Sequence, residues 1–413
     1  MPVNYIVLAI PVFFALIGLE LLLTRVLERD SYSLADSLND LSCGIVQQLV
    51  EVFAKTALFA GYVFLYGAVR LFEIPLSAAW AWVVCFLGVD VCYYWFHRVS
   101  HRVNAVWATH VVHHQSEEYN LAVALRQGAF QGWFSWVFYL PLAVLGFPPL
   151  MFLTLSAFDT LYQFWIHTRV VGKLGPLEWV LNTPSHHRVH HACNPKYIDR
   201  NYAGTLIIWD RMFGSFKEEQ EEPVYGITKP LRSWNPVWAT LHVWADLFGK
   251  ARRTSRLADK LRLFWSAPGW QPADLGGFEP PPDVDRATYQ KYRTPLPRGL
   301  AVYAFVQFVV VLMGTTWLLF RQAEMTLALR SLAALAAMLG LVVVGGLFER
   351  KSWAAGIEWA RLALAPLAVW LATGDVTWTG LAAVVAAGCA LWLSRYARLF
   401  ASAGTAGAER SVA

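Results

Sequence analysis

Charge is what this sequence has least of. Of its 413 residues 15% are charged, while 56% are hydrophobic and 15% aromatic. A soluble globular domain carries roughly 25% charged residues, so a water-soluble fold could not hide this much apolar surface. Cysteine is scarce as well. The five, Cys43, Cys85, Cys92, Cys193 and Cys389, are odd in number and mostly lie inside apolar runs. That excludes a secreted disulfide scaffold and makes them buried packing residues. There is no Gly-x-Ser-x-Gly elbow and no glycine-rich phosphate loop, which removes a serine nucleophile and a nucleotide cradle. The net charge of +5 is not gathered on a soluble domain with base-stacking aromatics, so no nucleic-acid partner is expected.

What the chain does have is apolar runs of about 20 residues, enough to span a hydrocarbon layer roughly 30 Å thick. Runs near 4–24, 43–69, 76–96, 299–320, 327–347, 354–373 and 378–397 are expected to cross the membrane. The closely spaced pair 130–147 and 149–166 is broken by Gly146, Pro148 and Pro149 and is expected to enter and return to the same side. The expected fold class is an all-α integral membrane protein, a multi-span helical bundle of seven crossings and one hairpin. Segments 25–42, 97–129, 167–298, 348–353 and 398–413, with Arg395, then share one side and hold 29 of the 34 Lys and Arg. Arg70, Arg321 and Arg330 fall on the other side. By the positive-inside rule the first side is cytoplasmic. The first run has no basic n-region or cleavage site, so it reads as a retained helix. The location expected is the inner membrane of a bacterium or the endoplasmic reticulum of a eukaryote.

Three blocks follow. Residues 1–96 are N-terminal transmembrane helices, 97–298 hold the polar chemistry around the hairpin 130–166, and 299–413 are C-terminal transmembrane helices. In the last block Glu358 and Arg361 can neutralise each other at (i, i+3) spacing. Glu51 and Lys55, beside Gln47, are expected to pair in the second span. Asn235 to Trp265 opposes a Trp, Leu and Phe face to an Arg and Lys face, as in a helix lying at a lipid surface. The Pro- and Gly-rich stretch 267–298 reads as a linker.

Histidine carries the chemistry. Ten of the eleven lie between 97 and 191, as HRVSH at 97–101, HVVHH at 110–114, a single His167, and HHRVHH at 186–191. A lone His at a membrane boundary is ordinarily an interfacial residue, but spaced groups of this kind build metal sites. His97 and His101 are one helical turn apart. His110, His113 and His114 make one face of a turn plus its neighbour, and His187, His190 and His191 repeat that pattern. Structural zinc needs four N or S ligands, whereas eight to ten imidazoles suit two metal ions. Neutral imidazoles fit iron and leave coordination positions for O₂. Beside hydrocarbon, the plain use of such a centre is oxidation of an unactivated C–H bond of a membrane-delivered lipid.

The boxes in this order resemble those of the fatty acid hydroxylase superfamily, also called the sterol desaturase family. From Asp90 to Phe216 the chain is most similar to its alkylglycerol monooxygenase branch, through EEYNLAVALRQG at 117–128, FWIHT at 164–168, TPSHHRVHHACNPKYIDRNYAGTLIIWDRMFGSF at 183–216 and VYGI at 224–227. The resemblance implies a non-haem di-iron oxygenase that hydroxylates or desaturates an alkylglycerol, sterol or fatty acyl chain. It implies metal positions at His97, His101, His110, His113, His114, His167, His187, His190 and His191, with His186 beside the last box counted among the candidates. Two iron ions, O₂ as co-substrate, and electrons from a reductase, a small electron-carrier protein or a reduced pterin complete the set. One position departs from the branch. Where it carries an acidic residue associated with the pterin, directly after the second His of the first box, this chain has Arg102.

Supporting residues are expected around the metal. Asp90, Tyr94, His97 and His101 share one helical stripe, so Asp90 is expected to orient a ligand imidazole, and Asp159, Gln163 and His167 repeat the pattern. Tyr202 joins Asp90 and Asp159 as a candidate catalytic residue, with Asp199, Asn201, Trp209 and Asp210 as loop-stitching neighbours. The alternative from another class is a membrane metal transporter or metal sensor. Transporters place ligands along a midplane pathway, often with repeats, whereas these boxes cluster at one face without internal duplication.

Overall fold

The computed structural model of the protein describes residues 5–401, with the side chains of residues 5–8 and Lys55 outside that description. The proposed Glu51–Lys55 pair therefore lies outside the described residues; within them Gln47 donates to Glu51 at 2.7 Å. Every described element is helical, and the backbone otherwise makes only two isolated bridges, Leu181 with Leu206 and Ala192 with Tyr225.

The membrane helices come first from apolar length. Helices α1 (Tyr5–Val26), α3 (Ala79–Ser100), α11 (Arg298–Arg321), α12 (Leu327–Phe348), α13 (Ser352–Thr373) and α14 (Val376–Ser394) are long and apolar enough to cross a membrane. Helix α2 (Leu34–Val69) bends by 52° around residue 55 and makes a seventh if its arms form one span. Their outward residues confirm the solvent: Leu371, Val384 and Leu391 are each about 70% exposed, which suits acyl chains rather than water.

Helices α5 (Gln131–Leu145) and α6 (Pro149–Trp165) form the hairpin. At 1.5 Å per residue their lengths are about 22 and 26 Å, short of a full hydrocarbon core. Gly146 closes α5 in the left-handed region, with φ +96°, and Pro149 opens α6 at its first position. A Cβ on Gly146 would lie 1.9 Å from the Phe72 carbonyl oxygen, so the turn admits no side chain. The arms pack on α2 and α3 through Tyr62, Ala81, Cys85, Val89, Leu142 and Met151. Cys43, Cys85 and Cys193 are buried and free.

Between the membrane helices lie the short elements that matter for chemistry: α4 (Asn104–His114), α7 (Pro184–His190) and α8 (Ile208–Met212). The amphipathic stretch becomes α9 (Pro236–Arg253) and α10 (Leu257–Trp265). Leu263 of α10 is buried against Ala108 of α4, while Leu257, Leu261 and Trp265 stay exposed.

The chain divides into two compact units, residues up to 231 with 240–291, and 232–239 with 292 onward. The first contains all the histidine boxes. The second is held by Leu300, Tyr303, Val343, Leu347, Ala354 and Leu393. Its buried acid is neutralised as the spacing implies: Arg361 donates to both oxygens of Glu358 at 2.8 Å, and Tyr303 adds a hydroxyl bond at 2.5 Å.

Replacing Gly146 by Ala is expected to destabilise the protein by more than about 1 kcal/mol, since both backbone conformation and space oppose a Cβ. Gly67→Ala, where no atom lies within 4 Å of the added carbon, serves as the neutral control. Thermal unfolding of both variants in the same detergent measures the difference.

Candidate metal centre

Four segments converge. His97 sits in the last turn of α3 with His101 as its C-terminal cap, and α4 carries His110, His113 and His114. His167 follows the end of α6, and α7 carries His187 and His190, with His191 capping it. Among the described residues nine imidazoles fall into two groups, each with its ligand nitrogens within 4.8 Å of one another. His97, His101, His110, His114 and His190 form one; His113, His167, His187 and His191 form the other.

Helical geometry explains the division. Residues four apart share a face and adjacent residues diverge by about 100°. On α4, His110 and His114 therefore face the first group while His113 faces the second. On α7 the roles reverse, with His187 and His191 in the second group and His190 in the first. Each HxxHH box thus serves both groups at once. His97 and His101 complete the five, and His167 completes the four.

The outer nitrogens fix the tautomers. The Nδ1–H of His97 donates to the Tyr202 carbonyl at 2.8 Å, that of His113 to the Arg126 carbonyl at 2.8 Å, and that of His167 to the Gln163 carbonyl at 2.7 Å. His190 donates to the Arg200 carbonyl at 2.9 Å, and His110 to the Gln131 side-chain oxygen at 3.0 Å. Each Nε2 is then a bare acceptor. Yet His97 and His110 bring these nitrogens to 3.0 Å, and His113 and His167 to 3.2 Å. Two lone pairs at that distance repel unless a cation lies between them. A metal about 2.1 Å from each nitrogen would set neighbouring ligands about 3.0 Å apart in an octahedron and about 3.4 Å in a tetrahedron. The Nε2 atoms of His101 and His190 are buried and have no hydrogen-bond partner. The donor set fits a metal.

Burial keeps these donors neutral. It lowers His113, His114, His187, His190 and His191 well below the usual imidazole range, with neighbouring imidazoles adding to the effect. It brings His110 down to about 3 and His167 to about 4. A neutral imidazole offers the lone pair that a metal takes.

The acids act differently from expectation. Asp90 touches no imidazole. Its carboxylate accepts from the backbone N–H of Thr205 at 2.7 Å and of Leu206 at 3.0 Å, and from the Trp209 indole at 2.8 Å. Asp159 accepts from the Thr205 hydroxyl at 2.8 Å and from Gln163 at 3.0 Å. Asp210 accepts the backbone N–H of Tyr202 and Ala203, both at 2.8 Å. Three acids on three helices therefore pin loop 199–210, whose carbonyls at Arg200 and Tyr202 hold His190 and His97. A Cβ on Gly204 would lie 2.9 Å from Asp159 and 3.1 Å from Asp90, so the loop can approach both acids only through glycine. The direct hydrogen bond expected from Asp90 to a ligand imidazole is replaced by this relay, because α3 points Asp90 at the loop rather than along its own axis.

Other candidates separate. His186 belongs to neither group; its ring meets Phe216 edge-on at 5.4 Å, and burial brings it down to about 4. Tyr202 has its ring 5.3 Å from His101 and 6.0 Å from His190. Asn201 donates to the His186 and Lys217 carbonyls. Asp199 lies 3.5 Å from both His101 Nδ1 and the half-exposed Arg102; burial alone would raise its carboxyl, but the hydrogen bond to His101 and the Arg102 guanidinium hold it below the usual range. Sequence reasoning missed Gln131 and Arg126. Arg126 is fully buried, bonded to Val112, Asn39, Asp40 and Gln115, and ties the end of box two to α2. It also passed over Glu20, an acid inside an apolar run, where the cost of a buried carboxylate is itself the signal.

Comparison with known proteins agrees with this geometry. Residues 82–215 match the fatty acid hydroxylase family model. An alkylglycerol monooxygenase of Xenopus tropicalis is 39% identical over 364 residues, covering 87% of this chain and 81% of that protein. That of Homo sapiens is 41% identical over 312 residues, 75% of this chain and 70% of that protein. The chain belongs to the fatty acid hydroxylase family. An ornithine lipid hydroxylase of Rhizobium tropici is 30% identical over 124 residues, 30% of this chain and 38% of that protein. No solved structure matches the chain. As a member of this family the protein is an oxidoreductase acting on lipids, and the family's oxygenases use non-haem iron. The transporter alternative finds no support: the family is enzymatic and the imidazoles converge on two buried groups.

Asp90→Asn tests the relay. An amide has one acceptor oxygen where the carboxylate serves three donors, so the Tyr202 carbonyl loses its fixed position. Membrane insertion is expected to stay normal while metal affinity or turnover falls about 10- to 100-fold. Bound iron and turnover measured in the same membranes check it; full values for both would show that the carboxylate does not support the centre.

Proposed function

We propose that the chain is a membrane-bound di-iron monooxygenase that hydroxylates a lipid, with an alkylglycerol as the first substrate to try. The observation that carries the reading is the pair of imidazole groups sharing α4 and α7. In it, His97, His101, His110, His114 and His190 hold one iron, and His113, His167, His187 and His191 hold the other. His186 is left out of the ligand set. Asp90, Asp159 and Tyr202 are positioning residues, acting through loop 199–210.

When bound, two irons would offer open positions for O₂ and relay the electrons that turn it into an oxidant of C–H bonds. The overall balance is RH + O₂ + two electrons + two protons giving ROH + H₂O. The electrons come from outside, from a reductase, a small electron carrier or a reduced pterin. Hydroxylation is preferred to desaturation because the relatives with broad coverage are monooxygenases. The split of 29 basic residues against three supports a cytoplasmic orientation of the boxes.

The experiment uses full-length protein in lipid nanodiscs, with alkylglycerol and ¹⁸O₂ under a reducing system. One labelled oxygen in the product and about two irons per chain are expected. Alanine at His97, His101, His113, His114, His187, His190 or His191 should abolish turnover with insertion intact, since insertion depends on the apolar spans. His186→Ala should retain turnover. Active protein holding fewer than one metal per chain would defeat the di-iron reading.

A further inference from the structure

Helix α1 carries one buried stripe, Phe13, Ile17, Glu20 and Thr24, none more than 9% exposed. Phe13 stacks on Phe164 of α6 with ring centroids 4.2 Å apart, which explains the apolar half of the stripe as packing. Glu20 needs another reason. A carboxylate inside a membrane span is costly unless donors surround it, and a Leu or Phe would pack there at no such cost.

Its donors come from three separate segments. One oxygen accepts from the Thr168 hydroxyl; the other accepts from the Tyr32 hydroxyl at 2.5 Å and the Leu121 backbone N–H at 2.8 Å. Leu121 follows box two, and Thr168 follows His167. Thr168 is a junction in its own right. Its hydroxyl oxygen accepts from the Val170 N–H at 3.0 Å, and its carbonyl accepts from Arg188 of α7 at 3.0 Å. On the other side of His167, the Tyr119 hydroxyl donates to the Ile166 carbonyl at 3.0 Å, with its ring stacked over the imidazole.

His167 is unlike the other candidate ligands, because it has no second histidine one turn away on the same helix to share its constraint. Beyond the bond of its Nδ1–H to the Gln163 carbonyl, its aim depends on what holds its neighbours. We propose that Glu20 is a positioning residue for the four-imidazole group, fixing His167 through Thr168 and fastening the chain after box two to the same carboxylate. The inference rests on the reading of that group as a metal site. It gives α1 a task in the centre beyond anchorage.

The test compares wild type, Glu20→Gln, Glu20→Ala, Thr168→Val and Phe13→Ala as full-length proteins in nanodiscs, loaded with ⁵⁷Fe. Iron per folded chain, resistance to a chelator and the Mössbauer spectrum are read. Glu20→Ala and Thr168→Val are expected to fall from about two irons to about one, to release the lost iron at least about 10-fold faster, and to keep the spectrum of the remaining site. Glu20→Gln, with one acceptor oxygen left, should fall between. Phe13→Ala, which loosens α1 packing without touching the carboxylate, should keep both irons. Full iron with normal chelator resistance in Glu20→Ala and Thr168→Val would overturn the proposal, as would equal loss from both sites or the same loss in Phe13→Ala, which would make Glu20 a packing residue. Should wild type itself hold fewer than two irons, the two-metal reading fails instead, and the positioning role fails with it.

Discussion

Lone pairs that cannot be paired with one another set the terms for this molecule. Backbone carbonyls occupy the outer nitrogens of His97, His113, His167 and His190, and the inner nitrogens then crowd together as buried acceptors. Such an arrangement is costly without a cation and strongly favoured with one. The buried arginine behind box two, the three acids under loop 199–210 and the seating of α7 all serve to hold repelling donors in place until a metal binds. Protonation cannot relieve the strain, because the same burial opposes charge on the imidazoles.

Much of this was legible in the sequence because helices are periodic. Apolar length marked the seven long helices, and Gly146 with Pro149 marked the hairpin turn. The spacing of the boxes gathered the imidazoles of each helix, though it did not show which of the two groups each ring would join. What could not be read is the layer outside the imidazoles. Its partners are mostly main-chain carbonyls of Arg126, Gln163, Arg200 and Tyr202, and a carbonyl is present at every residue whatever its type. Asp90 illustrates the limit. Its stripe with His97 was correct as geometry along α3, but a side chain also points outward, and there it meets a loop 115 residues away in sequence at Thr205. His186 shows the converse, since adjacency to a box says nothing about which way a ring turns.

The division of labour between the two compact units follows from the same chemistry. Nearly all unusual backbone near the centre belongs to the first unit, including the left-handed residues Asp199 and Asn201, and strain of that kind persists where surrounding bonds over-determine it. In the second unit the buried Glu358 is bonded to Arg361 and Tyr303 within the helical group itself, and among the described residues no cluster of metal-ligating side chains falls there.

The hairpin acts as a yoke. Its two open ends carry Gln131, whose side chain holds His110, and Gln163, whose carbonyl holds His167, so each arm grips one imidazole from a different group. The turn between the arms is tied to α2 and the residues just after it, where the Leu71 N–H donates to the Val144 carbonyl at 2.7 Å and the Tyr62 hydroxyl to the Phe147 carbonyl at 2.9 Å. The hairpin therefore acts as a rigid link: a displacement of α2 that carried the turn with it would shift one imidazole of each group in the same stroke.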